Sequence, residues 1–578
     1  MNIYQLLQQK FQQAIVAIGA PKDSPVPVSR STRPEFGEYQ FNGAMALSKQ
    51  LQQKPRDIAE KIVEAVQLDG IASKLEIAGP GFINVHLDDN WLASQLQHAA
   101  DSSRLGIETE KQQTVVVDYS SPNLAKEMHV GHLRTTIIGD AVVKTLEFMG
   151  HKVIRQNHMG DWGTQFGMLL AHLSDKLESD QVAETALSDL EVFYREAKVR
   201  FDEEQGFADR ARDYVVKLQG GDANCMALWQ QFIDVSITHS EEVYQKLNVS
   251  LTRDDIMGES AYNDDLANVV HELKEQGIAV EDQGAQVVFL EELADKEGNP
   301  AVYIVQKTGG GYLYATTDLA AMRYRSTKLN ADRTLILTDA RQALHFKQTE
   351  IVGRKAGFIG AGQTYEHCPF GMMLGSDGKP FKTRSGGTVK LVELLDEAVE
   401  RSTVLLAKRE SDLSDAQRAE IARKVGIGAV KYADLSKNRT TDYMFNWDTM
   451  LSFEGNTAPY LQYAYTRVQS IFRKAQIDGS QIAEPIALQE AQEHQLAVKL
   501  LQLSEAIKQL TADATPHVLC SYLYDVASLF MSFYEACPIL KEGIDESVKN
   551  SRLTLAALTG RTLKTGLDLL GIETMEQM

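Results

Sequence analysis

A chain of 578 residues with 43% hydrophobic and 24% charged side chains has the size and composition of several globular domains, which excludes a disordered chain and a collagen-like or coiled-coil rod. Acidic residues outnumber basic ones 79 to 59, for a formal net charge of −20, so a nonspecific nucleic-acid coat is excluded while a local basic stripe facing a nucleic acid is not. No apolar run approaches the roughly 18 residues of a spanning helix, the start MNIYQLLQQKFQQ lacks a basic-then-apolar leader pattern, and Cys225, Cys368, Cys520 and Cys537 stand singly, so the expectation is a cytoplasmic protein with reduced, buried thiols and no zinc ribbon or disulfide framework.

Taken in chain order, residues 1–100 read as a small α+β unit. Ile3, Leu6, Leu7, Phe11 and Ile15 recur at helical spacing, as do Ile58, Ile62, Val63 and Val66, and an apolar segment 82–87 after Gly79-Pro80-Gly81 reads as a strand. The polar stretch 101–113 reads as a linker. Residues 114–119 (TVVVDY) form a buried-strand run, followed by a loop, an amphipathic helix from about Leu133 to Met149 stopped by Gly150, and a second strand at 152–157. A strand–helix–strand unit predicts a parallel sheet with its ligand site at the carboxyl ends of the strands. Further strands are predicted at 301–305 and 333–337, with a hairpin at Gly309-Gly310-Gly311, and long helical periods dominate from about residue 412.

Two stretches carry phosphate chemistry. In 121–132 (SPNLAKEMHVGH) His129 and His132 are three apart and share a face if they lie on the first helical turn. Free N–H groups and the macrodipole draw phosphate to such a turn, two imidazoles add directed donors, and Gly131 lets a nucleotide approach the backbone. An isolated H-x-G-H is more often a capping or core pair; position between a buried strand and a helix is what favours a site here. In 371–388 glycines surround a cationic loop, which between Lys379 and Lys390 carries Lys379, Lys382, Arg384 and Lys390 and no acid. Beside the histidine pair it reads as a pyrophosphate-binding loop rather than a solvated turn.

The strand ending in Asp118, the Ser121-Pro122-Asn123 turn and the following helix together resemble the signature of class I aminoacyl-tRNA synthetases. With the continuation 155–167 (RQNHMGDWGTQFG) the string resembles the arginyl-tRNA synthetases, especially the bacterial type. The resemblance covers the whole chain. Residues 35–40 (EFGEYQ) and 78–84 (AGPGFIN) are similar to the domain that contacts the tRNA elbow, and 455–467 and 522–527 to the anticodon-binding helical domain.

It implies an α/β multidomain protein with a Rossmann-like parallel-sheet catalytic core at 114–411, an N-terminal tRNA-contacting α+β domain at 1–100 and a C-terminal all-α anticodon-binding domain at 412–578. The implied activity is ligation of L-arginine to tRNA through an arginyl-adenylate, with Mg2+-ATP as substrate, no structural metal, no membrane, and a monomer as the working species. Where class I enzymes carry Lys-Met-Ser-Lys-Ser, this chain reads Pro380-Phe381-Lys382-Thr383-Arg384; by resemblance Lys126, just before the histidine pair, compensates. Lys126, His129, His132 and Lys382 are then the implied catalytic residues, with Gly131, Lys379 and Arg384 also on ATP.

A guanidinium is always charged and presents a planar fork of donors, so its pocket needs carboxylates. By resemblance Asp318 and Tyr314 meet it, Asp118 supplies a second acidic wall, and Asn123 and Gln342 orient the α-amino and carboxylate end. Taken alone, Asp318 reads equally well as a helix N-cap before Leu319. On the tRNA side, Arg323, Arg325, Lys431, Lys437, Arg439, Arg467, Arg473 and Lys474 are interleaved with Tyr432, Tyr443, Tyr460, Tyr463 and Tyr465. That mixture suits phosphate contact and base stacking, while solvated helix faces and core tyrosines account for most of it. Two other readings stand beside this one: a synthetase for a different amino acid, against which Asp318 and Asp118 weigh, and an RNA-binding protein that has lost catalysis, against which His129, His132, Asn123 and Lys126 weigh.

Overall fold

The computed structural model describes residues 2–31, 33–178, 183–381, 389–408, 413–479, 482 and 484–578. At its centre strand Thr114–Asp118 pairs in parallel with Lys152–Gln156 on one side and Arg333–Ile336 on the other, and Thr364–His367 closes that second side. Val115, Val116 and Val117 are fully buried, as expected of a strand covered on both faces. The register aligns Gln156, Asp118, Ile336 and His367 across the sheet, so the four carboxyl ends form one edge.

Helix Leu133–Phe148 makes the crossover and ends, as its pattern predicts, just before Gly150 at φ +92°. It lies directly on the strand end. A Cβ at Gly139 would come within 2.3 Å of the Tyr119 ring, so only glycine permits this approach.

The predicted segment 301–305 is a strand but not part of this sheet. Ala301–Gln306 joins Val280–Asp282 and Ala285–Leu290 in a separate antiparallel sheet, turning Tyr303 and Val305 inward and Val302 and Ile304 outward. The glycine run does turn the chain, but its return arm is a single bridge from Gln306 to Tyr312, because helix Tyr314–Thr327 begins two residues later.

Between Lys152–Gln156 and the antiparallel sheet the chain inserts helices Gln165–Glu178, Leu190–Glu203, Gln205–Gln219 and Ala223–Lys246. Phe166 and Phe193 meet Phe232 at ring separations of 5.7 and 5.9 Å and lock this bundle together.

The N-terminal unit has its own core and a four-stranded antiparallel sheet, with the Phe11 and Phe41 rings stacked at 4.6 Å. It is fastened to the C-terminal helices by several ties, two of them centred on Glu505 and His494. Glu505 accepts from Tyr39 Oη at 2.6 Å and pairs with Arg30 at 2.6 Å; His494 stands between Asp89 at 2.6 Å and Glu38 at 3.0 Å. The expected linker after residue 100 is docked, with Leu105 and Ile107 buried and Arg104 stacked 4.3 Å from the Phe148 ring.

Helices Asp415–Leu435, Ala458–Ala475, Ala491–Leu501, Leu503–Asp513, His517–Ala536 and Glu546–Leu569 share one continuous hydrophobic core with the central sheet. Polar ties cross the same boundary. Arg134 pairs with buried Asp434 at 3.1 Å, and the ammonium of fully buried Lys431 donates to the carbonyls of Leu247 and Gly571, each at 2.6 Å, and of Asn248 at 3.5 Å. Burial lowers the Lys431 pKa to about 7, with Asp140 opposing. Among the described residues no helix is long and apolar enough to cross a membrane.

Candidate active site

Immediately past Asp118 the chain leaves the sheet through two non-glycine residues with positive φ, Ser120 at +68° and Ser121 at +48°. Such a turn is strained and needs support. Ser120 Oγ meets Tyr244 Oη at 2.7 Å and Thr136 Oγ1 at 3.0 Å, while the Ser121 N–H donates to Asn157 Oδ1 at 2.9 Å. The turn thus sets the loop onto the carboxyl edge.

His129 caps and His132 ends a single 3-10 turn, Val130–His132, that runs into helix Leu133–Phe148. Their rings lie 4.1 Å apart. His129 Nδ1 accepts from the Gly131 N–H and His132 Nδ1 from the His129 N–H, both at 3.0 Å. With both Nδ1 atoms accepting, the ring protons sit on Nε2, and each neutral imidazole is a donor at Nε2. Burial, then the neighbouring His129, pushes His132 down to about 3; burial also lowers His129, with Glu191 opposing and Lys126 assisting. Gly131 has a reason beyond ligand approach: a Cβ there would come within 2.7 Å of the His129 ring.

Lys126 is exposed, with Nζ 4.2 Å from the centre of the Tyr194 ring. Asn123 is exposed at the same edge; its Oδ1 accepts from the Ala125 N–H at 2.9 Å, and its Nδ2 has no partner among the described residues. Beside the pair a cavity of about 200 Å³ is lined by His129, Gly131, Arg134, Asp339, Phe370 and Met373. Lys379 lies exposed in the turn that follows, its N–H on Asp377 Oδ1 at 3.1 Å. Lys382 and Arg384, both expected on ATP, lie outside the described residues.

The acidic pocket forms on the other side of the edge. Helix Tyr314–Thr327 begins at Tyr314, so Asp318 sits in its second turn and does not cap it. His345 Nε2 meets Asp318 Oδ2 at 2.6 Å, and His158 Nε2 stands 3.9 Å from Oδ1. Tyr314, one turn before Asp318 and 65% exposed, holds its ring 4.9 Å from His345 at the mouth. Ring contacts from His345 to Phe346 and from Phe346 to His367, both at 5.0 Å, tie this cluster to the carboxyl end of the outer strand.

Asp118, expected as a second acidic wall, lies at the strand end with Arg325 beside it. Its Oδ2 binds Arg325 Nη2 at 2.7 Å and its Oδ1 accepts from Ser121 Oγ at 2.8 Å, so both oxygens are committed to neighbours in the interior. Arg325 is 2% exposed and also donates to Gln156 Oε1 at 2.6 Å. A further acid near Asp318 is Glu259, which sequence reasoning missed. Burial, then the nearby charges of Asp318 and Asp161, raises its pKa to about 7. Asp161 anchors that turn by accepting from the Ser260 N–H at 2.8 Å and Oγ at 2.6 Å. Gln342 is exposed at the head of helix Ala343–Lys355 and makes no side-chain hydrogen bond among the described residues. No group of three or more His, Cys, Asp or Glu side chains converges as a metal site among the described residues.

Of the basic residues considered for tRNA, Arg325 and Lys431 are buried, and Arg323 and Arg439 are half-buried and already partnered. Arg323 pairs with Asp265 and Glu272, Arg325 with Asp118, Lys431 with carbonyls, and Arg439 with the carbonyls of Pro369 at 2.6 Å and Ala514 at 3.0 Å. Tyr432 and Tyr443 are buried. Around helix Ala458–Ala475 a surface cavity of about 410 Å³ remains, lined by Tyr463, Arg467, Arg473 and Met578 among others, with Arg467 5.2 Å from the Tyr463 ring.

Three family models match the chain: "tRNA synthetases class I (R), catalytic domain" over residues 95–447, "DALR anticodon binding domain" over 461–578, and "Arginyl tRNA synthetase N terminal domain" over 5–87. The chain is 77% identical to the arginine–tRNA ligase of Pseudoalteromonas atlantica and 64% identical to that of Colwellia psychrerythraea, each covering 100% of both chains. Among solved structures it resembles arginyl-tRNA synthetase from Plasmodium falciparum, with TM-score 0.87 and 30% identity over 100% of this chain and 99% of that one. The Thermus thermophilus arginyl-tRNA synthetase shares the fold at TM-score 0.84 and 24% identity, over 100% of each chain.

Proposed function

The chain belongs to the class I arginyl-tRNA synthetases, and from that premise we propose how its own residues carry the family's reaction. The reaction is ATP-dependent ligation of arginine to tRNA. The guanidinium enters between Asp318 and Glu259, with Tyr314 at the mouth and His345 holding the Asp318 carboxylate in place. Two acids around a planar cation give charge-assisted acceptors that a neutral amino acid could not repay for their burial. Asn123 and Gln342 take the α-amino and carboxylate end.

A carboxylate oxygen of arginine attacks the α-phosphorus of ATP, the bond from that phosphorus to the bridging oxygen breaks, and pyrophosphate leaves, giving arginyl-adenylate. ATP enters as its magnesium complex, the ion travelling with the substrate's phosphates. His129 and His132 donate from Nε2 as neutral hydrogen-bond donors, while Lys126, Lys379, Lys382 and Arg384 supply positive charge, with Lys126 serving for the lysine missing at position 383. In the second step the terminal adenosine 2′-hydroxyl of tRNA attacks the carbonyl carbon of the anhydride and AMP departs. Positioning and electrostatics suffice, with no covalent bond to the enzyme.

Residues 412–578 read the anticodon, with the Tyr463–Arg467 surface as the stacking and phosphate-binding face; residues 1–100 meet the tRNA elbow; residues 114–411 carry the chemistry. One chain supplies every group named in the two steps, which supports a monomer as the working species, acting in the cytoplasm. The observation that carries the reading is the shared edge, with an acidic pocket around Asp318 and a pair of Nε2 donors both at the carboxyl end of one parallel sheet. Pyrophosphate exchange measured with tRNA present and each of the twenty amino acids tests it. Arginine alone should support exchange, and exchange driven by another amino acid would sink the pocket assignment.

A further inference from the structure

One turn of the inserted helical bundle touches both halves of the phosphate site. Asp189 caps helix Leu190–Glu203 and pairs with Lys390 at 2.7 Å, and the Leu190 N–H donates to Glu127 Oε1 at 3.1 Å. Lys390 is bridged through its backbone to His129, the Val130 N–H donates to the Val389 carbonyl at 3.1 Å, and the Leu391 N–H donates to that of Met128 at 2.9 Å. One turn further along the same helix Tyr194 lays its ring 4.2 Å from the Lys126 ammonium.

Lys126 is exposed, and among the described residues no carboxylate lies within ion-pair distance of it. The difference from its neighbour is chemical. A carboxylate, as at Lys390, pins a cation but cancels its field; an aromatic face attracts the cation through the ring quadrupole and leaves its charge intact. Such a contact is also weak enough to yield to a phosphate. We propose that Tyr194 is a positioning residue for Lys126: its ring holds the ammonium in register beside His129 until the nucleotide takes it over. This rests on the reading of Lys126 as a cation in adenylate formation.

The test is single-turnover adenylate formation by the full-length enzyme with tRNA bound, for Tyr194→Phe, Tyr194→Leu, Lys126→Ala and the double variant Lys126→Ala/Tyr194→Leu. Tyr194→Phe keeps the ring face and should stay within about twofold of the unaltered rate. Tyr194→Leu should slow adenylation about tenfold, ~1.4 kcal/mol, with the arginine KM unchanged. In the Lys126→Ala background the same change should add less than about twofold. Because Leu could disturb the bundle, a series of increasingly fluorinated phenylalanines at 194 drains the ring quadrupole at nearly constant shape, and the rate should fall stepwise along it. Independent, multiplying effects of the two substitutions, or a flat fluorination series, would overturn the positioning role while leaving Lys126 in place. An undiminished rate in Lys126→Ala would overturn the reading of Lys126 and the role of Tyr194 together.

Discussion

Asp318 and His345 share a hydrogen bond of 2.6 Å between Oδ2 and Nε2, which turns the other carboxylate oxygen toward His158 and the pocket. The helix carrying Asp318 starts four residues earlier and does not depend on it for a cap. Asp318→Asn should therefore cost arginine affinity about 2–5 kcal/mol, the usual loss when one partner of a buried charge-assisted pair is removed, while the unfolding temperature barely moves. Calorimetric titration with arginine alongside a thermal melt checks both halves. Near-normal affinity would remove Asp318 from the pocket.

Glu259 makes arginine binding depend on pH. Burial and the charges of Asp318 and Asp161 raise its pKa to about 7, so near neutrality Glu259 in the empty pocket is partly protonated and a guanidinium displaces that fraction. The sign follows: affinity rises with pH between roughly 6 and 8 and is flat above, and binding near pH 7 releases a proton. Titrations in buffers of different ionisation enthalpy measure that proton directly. Glu259→Gln should weaken binding and abolish the release, and equal release from both proteins would clear Glu259 of the role.

The Asp118–Arg325 pair predicts a stability effect rather than a substrate effect. Arg325→Met leaves a buried carboxylate unpaired and should destabilise the fold by about 3–5 kcal/mol, whereas replacing both partners by apolar residues of similar volume should cost far less. Denaturant unfolding of the single and double variants distinguishes these outcomes. An Arg325→Met protein of unaltered stability would mean that water reaches this pair.

His494 predicts an alkaline weakness in the joint between the N-terminal unit and the C-terminal helices. Its hydrogen bonds and charge contacts with Glu38 and Asp89 outweigh burial and raise its pKa to about 9 from an ordinary 6.5. A raised pKa stabilises the fold fully below 6.5 and loses that contribution as pH climbs through about 9. His494→Gln should be less stable at pH 6.5 and show a shallower decline at alkaline pH. Melting curves of the two proteins that fall in parallel across this range would refute it.

What could be read in advance was local. The Val115–Val117 run gave away a strand covered on both sides, Gly150 gave away the end of the crossover helix, and the spacing of His129 and His132 gave away their shared turn. That both Nδ1 atoms would be occupied by backbone N–H groups depends on the tight geometry of a 3-10 turn, which spacing alone does not specify. Glu259 left no signal because it opens a short 3-10 turn, Glu259–Tyr262, with no periodicity to mark it, and its acidic neighbour Asp318 belongs to another element. Arg325 and Lys431 looked like surface cations for the same reason: the Asp118 carboxylate and the Leu247 and Gly571 carbonyls that hold them are distant in sequence. The Arg325 counter-ion of Asp118 could not be seen in advance for the same reason.

The Lys431 cage also has a consequence for synthesis. Its two short carbonyl contacts come from residue 247, made early, and residue 571, made long after residue 431 itself has left the ribosome. Until that late segment arrives, closing the interior over Lys431 would strand an ammonium with one of its two short acceptors missing, a cost that keeps the site hydrated. Residue 571 thus helps helix Asp415–Leu435 close against helix Leu133–Phe148, which carries the histidine pair at its head. A chain lacking residue 571 would leave Lys431 without its second short acceptor, so the support beneath the histidine pair depends on a residue far from it in sequence.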